Sequence, residues 1–223
     1  MSSVRDAVVE IRERIAAAAR RAGRDPDGVR LVAASKTVPA ARVAEVVACG
    51  VIDVGENRAQ ELLAKAEDLA GLRSPDGSAV CWHFLGRLQR NKVRGLAPLV
   101  TWWQSVDREA LGATIARYAP GASVLVEVNV GVEPQKGGCA PGGVEALVGA
   151  LRDLGLRVEG LMTIPPAHDD PRRWFAALRE QAADLDLPQL SMGMTDDYEI
   201  AVEEGATMVR VGRALFGDRP PGP

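Results

Sequence analysis

Ser123-Val124-Leu125-Val126-Glu127-Val128-Asn129 is a short run with a continuous apolar centre, the pattern of a strand covered on both faces, as in parallel sheets. Outward from it, similar runs recur with helical periodicity between them. Strands are expected at 30–35, 52–54, 82–85, 101–105, 123–129, 157–161, 189–191 and 207–211. Helices are expected from Pro39 to Cys49, from the Gly55-Glu56-Asn57 turn to about Leu69, around Leu88 to Leu96, and at 144–154, 171–185 and 196–204. Another begins at Asp107, whose Asp-x-x-Ala start has the form of a capped N-terminus. Residues 3–22, with Val4, Val8, Val9, Ile11 and Ile15 among charged residues, form an amphipathic helix ahead of the first strand. Eight strands alternating with helices select a single (β/α)8 TIM barrel with an extra N-terminal helix over an open doubly wound sheet. The barrel is expected over residues 1–217, and Asp218 to Pro223 as a disordered tail. The Gly/Pro-rich residues 131–143 read as a long loop on the carboxyl face, a candidate lid.

The composition agrees with one domain. The chain has 223 residues, 47% of them hydrophobic but few aromatic, which suits aliphatic helices packed on a parallel sheet. A net charge of −3 gives no basic field to recommend nucleic acid or an anionic membrane as partner. The clusters Arg20, Arg21, Arg24 and Arg87, Arg90, Lys92, Arg94 read as solvated helix faces. Cys49, Cys81 and Cys139 are scattered and odd in number, which predicts reduced thiols and a cytoplasmic protein. The first residues lack the apolar core of a signal peptide, and no stretch is long enough to span a bilayer. With His83 and His168 far apart and the cysteines at no ligand spacing, no metal site is expected.

Lys36 is one of four lysines and closes the run Leu31-Val32-Ala33-Ala34-Ser35. A lysine at the carboxyl end of a buried strand sits where barrels place ligands, in a partly dry setting that favours the neutral, nucleophilic amine. Alone it reads more readily as a strand-end lysine reaching for water. The far end of the chain changes that balance. Ser191-Met192-Gly193-Met194-Thr195-Asp196-Asp197 and Val209-Arg210-Val211-Gly212-Arg213 each place a glycine at a strand-to-helix junction, where free backbone N–H groups favour an anion. In a barrel the loops after the seventh and eighth strands commonly hold phosphate, and a lysine on the first strand becomes their neighbour on closure.

Six motifs in order resemble the pyridoxal phosphate homeostasis protein family. They are Ala34-Ser35-Lys36-Thr37, Gly55-Glu56-Asn57-Arg58-Ala59-Gln60-Glu61, the stretch from Trp82 to Lys92, Gly160-Leu161-Met162-Thr163-Ile164-Pro165, Leu190 to Asp197, and Val209-Arg210-Val211-Gly212. The resemblance covers nearly the whole chain. It implies a barrel related to the N-terminal domain of alanine racemase, holding pyridoxal 5′-phosphate (PLP) as a Schiff base on Lys36. It also implies a role in PLP homeostasis or delivery, with apo PLP-dependent enzymes as partners and no dedicated catalytic turnover. Ser191 and the backbone around Gly193, Gly212 and Arg213 would hold the phosphate, and Arg210 would face the pyridine nitrogen. Asn57 would either bond the cofactor or cap the following helix. His83 reads as a satisfied core residue, and Met162 and Met194 as packing.

Two residues depart from the family pattern: Arg58 where many members have Tyr, and Arg213 where many have Thr or Ser. The second either adds a cation to the phosphate cup or turns outward, its backbone N–H usable in both cases. The alternative function is a PLP-dependent enzyme with racemase-like activity on amino acids. That route needs an opposed second base, and the two tyrosines, Tyr118 and Tyr198, both fall in expected helices. A Schiff-base aldolase without PLP is allowed by Lys36 and the anion turns but leaves Arg210 unexplained. A monomer is expected, since the dimerising domain of racemases is missing.

Overall fold

Arg30–Ala34 (β1), Asp53–Glu56 (β2), Cys81–Phe84 (β3), Val100–Val106 (β4), Ser123–Val128 (β5), Arg157–Thr163 (β6), Gln189–Ser191 (β7) and Met208–Val211 (β8) form the strands of a computed structural model that describes residues 3–217. All are parallel and hydrogen-bonded in sequence order into a closed barrel. β8 returns to β1 with Leu31 opposite Val209 and Ala33 opposite Val211. Closure leaves no unpaired strand edge, and every expected strand is present.

The helices lie outside: Val4–Arg21 (α1), Ala40–Ala48 (α2), Ala59–Asp68 (α3), Val93–Leu96 (α4), Glu109–Tyr118 (α5), Val144–Asp153 (α6), Pro171–Asp184 (α7), Tyr198–Glu203 (α8) and Arg213–Phe216 (α9). Two local expectations need correction. The helix foreseen around Leu88 to Leu96 is a 3-10 turn at Arg90–Lys92 leading into the short α4. Asp107 does not cap α5, because Arg108 is the N-cap and the Asp107 carboxylate pairs with the Arg108 guanidinium. Residues 218–223, expected as a disordered tail, lie outside the described residues. Among the described residues no helix is long and apolar enough to cross a membrane.

Two apolar layers result from the strand pattern. An outer layer packs helices on the barrel and includes Trp103, Leu111, Ile115, Leu151 and Phe175. Inside the barrel a smaller cluster of Val32, Leu125, Met162 and Met208, with Trp102 against it, fills the centre. α1 starts with a Ser3–Asp6 capping box and buries Val4, Val8, Ile11, Ile15, Ala18 and Ala19. It packs chiefly on α8. Part of the basic cluster taken as a solvated face serves this contact instead. Arg21 pairs with Glu203 at 2.9 Å, and Arg24 donates to the Ala206 carbonyl at 2.9 Å.

Where β6 passes β7 the backbones leave no room for a side chain, since a Cβ on Gly160 would stand 1.9 Å from the Gln189 carbonyl oxygen. Gly160→Ala is therefore expected to lower the unfolding free energy by about 1–3 kcal/mol, the usual cost of overpacking, as measured by urea denaturation. An unchanged midpoint would contradict this packing.

Candidate functional site

β1 ends at Ala34, and the next three residues are fixed from outside the strand. The Ser35 hydroxyl donates to Glu56 Oε1 at 2.6 Å, and the Ser35 carbonyl accepts from Lys65 Nζ at 2.6 Å. Lys65, on α3, also forms an ion pair with Glu56, and both residues are buried. The Thr37 N–H donates to Glu61 Oε2 at 2.8 Å. Thr37 has φ +63°, a left-handed conformation that costs a β-branched residue free energy and persists only where neighbours enforce it. Lys36 thus sits between two residues clamped by β2 and α3. The chain around Gly55 is pressed close to β1 and β3, because a Cβ there would meet Leu85 and Val32.

Lys36 lines a cavity of about 280 Å³ at the carboxyl end of the barrel, together with Ala34, Asn57, Arg210, Gly212 and Arg213. This volume is near the lower end for small-molecule pockets, about 300 Å³. Val38, Leu85, Ile164, Met194 and Phe216 supply apolar wall, and Asp196 is the sole carboxylate among the lining residues. Arg58, not Asn57, is the N-cap of α3, so the capping alternative for Asn57 falls away.

Arg213 holds Asp196 with both carboxylate oxygens, one at 2.6 Å. This ion pair ties the loop after β7 to the turn after β8 at the cavity rim. A second tie runs from the Ala214 N–H to Thr195 Oγ1 at 3.4 Å. Gly212 presents bare backbone to the cavity, with a Cβ there 3.0 Å from the Ala34 carbonyl oxygen.

Two expected phosphate ligands are not among the cavity's lining residues. Ser191 is fully buried, and its hydroxyl lies between Gln104 Oε1 at 2.6 Å and Arg210 Nη1 at 2.8 Å. Gly193 is needed for shape: its φ is +90°, and a Cβ would come 2.5 Å from that of Ala201. Its carbonyl accepts from the Arg210 N–H at 2.9 Å. Both residues therefore support Arg210 from behind. The loop of residues 131–143, expected as a lid, is absent from the lining too. It is pinned back by Cys139, whose N–H donates to the Glu127 carbonyl at 2.7 Å, and by paired bonds between Asn129 and Glu133.

Arg210 is 4% exposed. Its second nitrogen donates to the Thr163 carbonyl at 2.8 Å, and among the described residues no carboxylate pairs with it. Burial pushes its guanidinium down to about 10, so it stays charged at neutral pH. Glu127, on β5, is a carboxylate the sequence reading passed over. Burial, then the neighbouring Asp107, raises it to about 7, against the pull of Arg210 and Arg87.

Residues 8–220 match the family model described as alanine racemase, N-terminal domain. A Pseudomonas aeruginosa protein named pyridoxal phosphate homeostasis protein is 44% identical over 229 residues, covering 98% of this chain and 97% of the relative. The chain belongs to the pyridoxal phosphate homeostasis protein family. PipY of Synechococcus elongatus, solved with PLP bound, superposes with a TM-score of 0.81 at 33% identity, covering 96% of this chain and 100% of that one. Alanine racemase from Corynebacterium glutamicum, at 17% identity and a TM-score of 0.69, shares the fold.

Against the family motifs, the residues missed by sequence reasoning are those that act through others: Lys65, Glu61, Gln104, Asp196 and Glu127. Only Glu61 and Asp196 fall inside a quoted motif, and none carries a spacing signal of its own. Lys65→Met leaves Glu56 buried without its cation and is expected to cost about 3–5 kcal/mol in urea unfolding. Adding Glu56→Gln should recover much of that loss, and a single-variant cost under about 1 kcal/mol would mark the pair as effectively solvated. For Glu127 the folded pKa lies above the unfolded value, so its contribution to stability falls as pH rises from about 4.5 through about 7. Glu127→Gln is therefore expected to be more stable than the parent at pH 8, the difference fading below pH 4.5. Equal stabilities at both pH values would contradict a raised pKa for this half-buried carboxylate.

Proposed function

We propose that this protein binds PLP in the cavity at the carboxyl end of its barrel, attaches it covalently to Lys36, and serves intracellular PLP homeostasis or delivery. The observation that carries the proposal is that Lys36, Arg210 and Gly212 line one cavity of small-molecule size. The relatives named for PLP homeostasis and the PLP-bound PipY support it.

The residues fit the cofactor. An amine matches its aldehyde, and the two guanidinium groups of Arg210 and Arg213 outweigh Asp196 in the lining and suit an anion. Exposed backbone at Gly212 admits a phosphate where a side chain would meet Ala34. When bound, PLP supplies an aldehyde for Schiff-base formation and a ring able to withdraw electrons. Arg210 donates hydrogen bonds and cannot take a proton, so it would hold the pyridine nitrogen unprotonated and keep the ring a weak electron sink. That setting favours holding the cofactor over using it. Arg213 contributes by tying the two loops together through Asp196, and its side chain is engaged there.

The second reading, racemase-like chemistry on amino acids, requires an opposed base. Tyr118 lies at the outer end of α5, Tyr198 is packed at the start of α8, and neither lines the cavity. The proposal is for a cytoplasmic monomer that hands PLP to apo enzymes.

The test is absorption spectroscopy of protein loaded with PLP, then borohydride reduction and peptide mapping. The expected result is a visible band and a reduced pyridoxyl group on Lys36, both lost in Lys36→Ala, with PLP passing from the loaded protein to an apo enzyme. A lysine adduct persisting in Lys36→Ala would overturn the site assignment. A protein that stays colourless with PLP would overturn the cofactor.

A further inference from the structure

Behind the cavity, five polar side chains run through the barrel interior to its opposite end. Arg210 Nη1 donates to Ser191 Oγ at 2.8 Å, and Ser191 Oγ donates to Gln104 Oε1 at 2.6 Å. Gln104 Nε2 lies 2.6 Å from His83 Nδ1, and His83 Nε2 lies 2.8 Å from Asp53 Oδ1. Ser191, Gln104 and His83 are fully buried. Asp53, at the start of β2, lines a groove of about 460 Å³ at the amino end of the barrel. The relay thus joins the cofactor cavity to the opposite face.

Its direction follows from chemistry alone. A guanidinium has donors only, so Ser191 must accept from it and has one hydrogen left to give. That hydrogen goes to Gln104, which must present its carbonyl oxygen to Ser191 and its NH2 to His83. His83 Nδ1 is then an acceptor and carries no proton, and the ring proton sits on Nε2, donated to the Asp53 carboxylate. A second Gln104 hydrogen points to Met208 Sδ at 3.5 Å. One donor-only residue at the cavity fixes the tautomer of a histidine on another strand.

The constraint also runs backwards. A proton on Nδ1 would face the Gln104 NH2, and turning that amide would present a second donor to Ser191, leaving the serine hydrogen without an acceptor and loosening Arg210. We propose that Gln104 and His83 are positioning residues for Arg210, and that this relay lets events at the Asp53 end alter how Arg210 meets the cofactor ring. The inference rests on the proposed placement of that ring against Arg210.

The groups facing His83 are consistent with a neutral ring. Burial holds its pKa below the ordinary value, Asp53 on β2 acts against burial, and Arg30 on β1 acts with it. Cys81, on the same strand with Sγ 3.6 Å from Nε2, is raised to about 11 by burial first and stays a neutral thiol. Trp102 on β4 stacks on the ring with centroids 6.1 Å apart.

The test has two arms. The chain has two histidines, so nitrogen NMR of labelled protein resolves His83 directly. The expected result is a ring that is protonated on Nε2 and still neutral below the ordinary histidine value of about 6.5. An Nδ1–H tautomer overturns the relay. In the second arm, Gln104→Met and Ser191→Ala, loaded with PLP, are each expected to move the pH profile of the visible band by about one unit, a tenfold change in equilibrium. The double variant should move it no further. Profiles superimposable on the parent's, with only a lower melting temperature, would make Gln104 merely structural and overturn the proposal. If the unaltered protein takes up no PLP, the cofactor reading fails, and the tautomer arm still judges the relay by itself.

Discussion

The pairing of the last strand with the first is the constraint on which the site depends. β8 lies beside β1 over four residue pairs, from Arg30 opposite Met208 to Ala33 opposite Val211. Beyond that ladder the chain reaches Lys36 on one side and Gly212 on the other. Residues separated by most of the sequence thus meet around one cavity. In a parallel barrel the carboxyl ends of all strands share one face, so the closure that removes the sheet's edges also assembles the site.

Closure alone would leave several polar groups in expensive surroundings. A buried guanidinium and a buried lysine each need fixed partners, because charge moved out of water is costly unless neighbours replace the lost hydration. The molecule answers in two ways. Lys65 is paired with Glu56 and ties down the backbone flanking Lys36. Arg210 is held by neutral oxygens, the Ser191 hydroxyl and the Thr163 carbonyl. With no carboxylate in ion-pair contact among the described residues, Arg210 keeps its charge available to the cavity, whereas the Arg213 charge at the rim is largely met by Asp196. Two arginines three residues apart therefore differ in role because of their partners.

The barrel was legible in the sequence because strands buried on both faces are apolar runs, and eight such runs separated by helical stretches admit few topologies. That Lys36, Arg210 and Gly212 meet at one end of the barrel was legible for a related reason: the carboxyl ends of parallel strands share one face. Ser191 and Gly193 were assigned to the right strand end, but their contacts with Arg210 were not legible, since nothing in a linear motif says whether a hydroxyl faces the cavity or the arginine behind it. Arg213 left two possibilities open, and the partner that decides between them, Asp196, comes from a different loop. Lys65, Gln104 and Glu127 carried no signal, because what makes them consequential is a contact across the barrel or from helix to strand. The long Gly/Pro loop misled in the opposite direction: its composition suggested freedom, but Cys139 and Asn129 anchor it.

The account's central claim is that closure sets Lys36 and Arg210 around a single cofactor. A crystal structure of the protein loaded with PLP tests this most directly. The account predicts continuous density from Lys36 Nζ to the cofactor, the ring nitrogen within hydrogen-bonding distance of the Arg210 guanidinium, and the phosphate on the turn at Gly212. PLP bound elsewhere on the molecule, or in this cavity with its ring nitrogen turned away from Arg210, would contradict it.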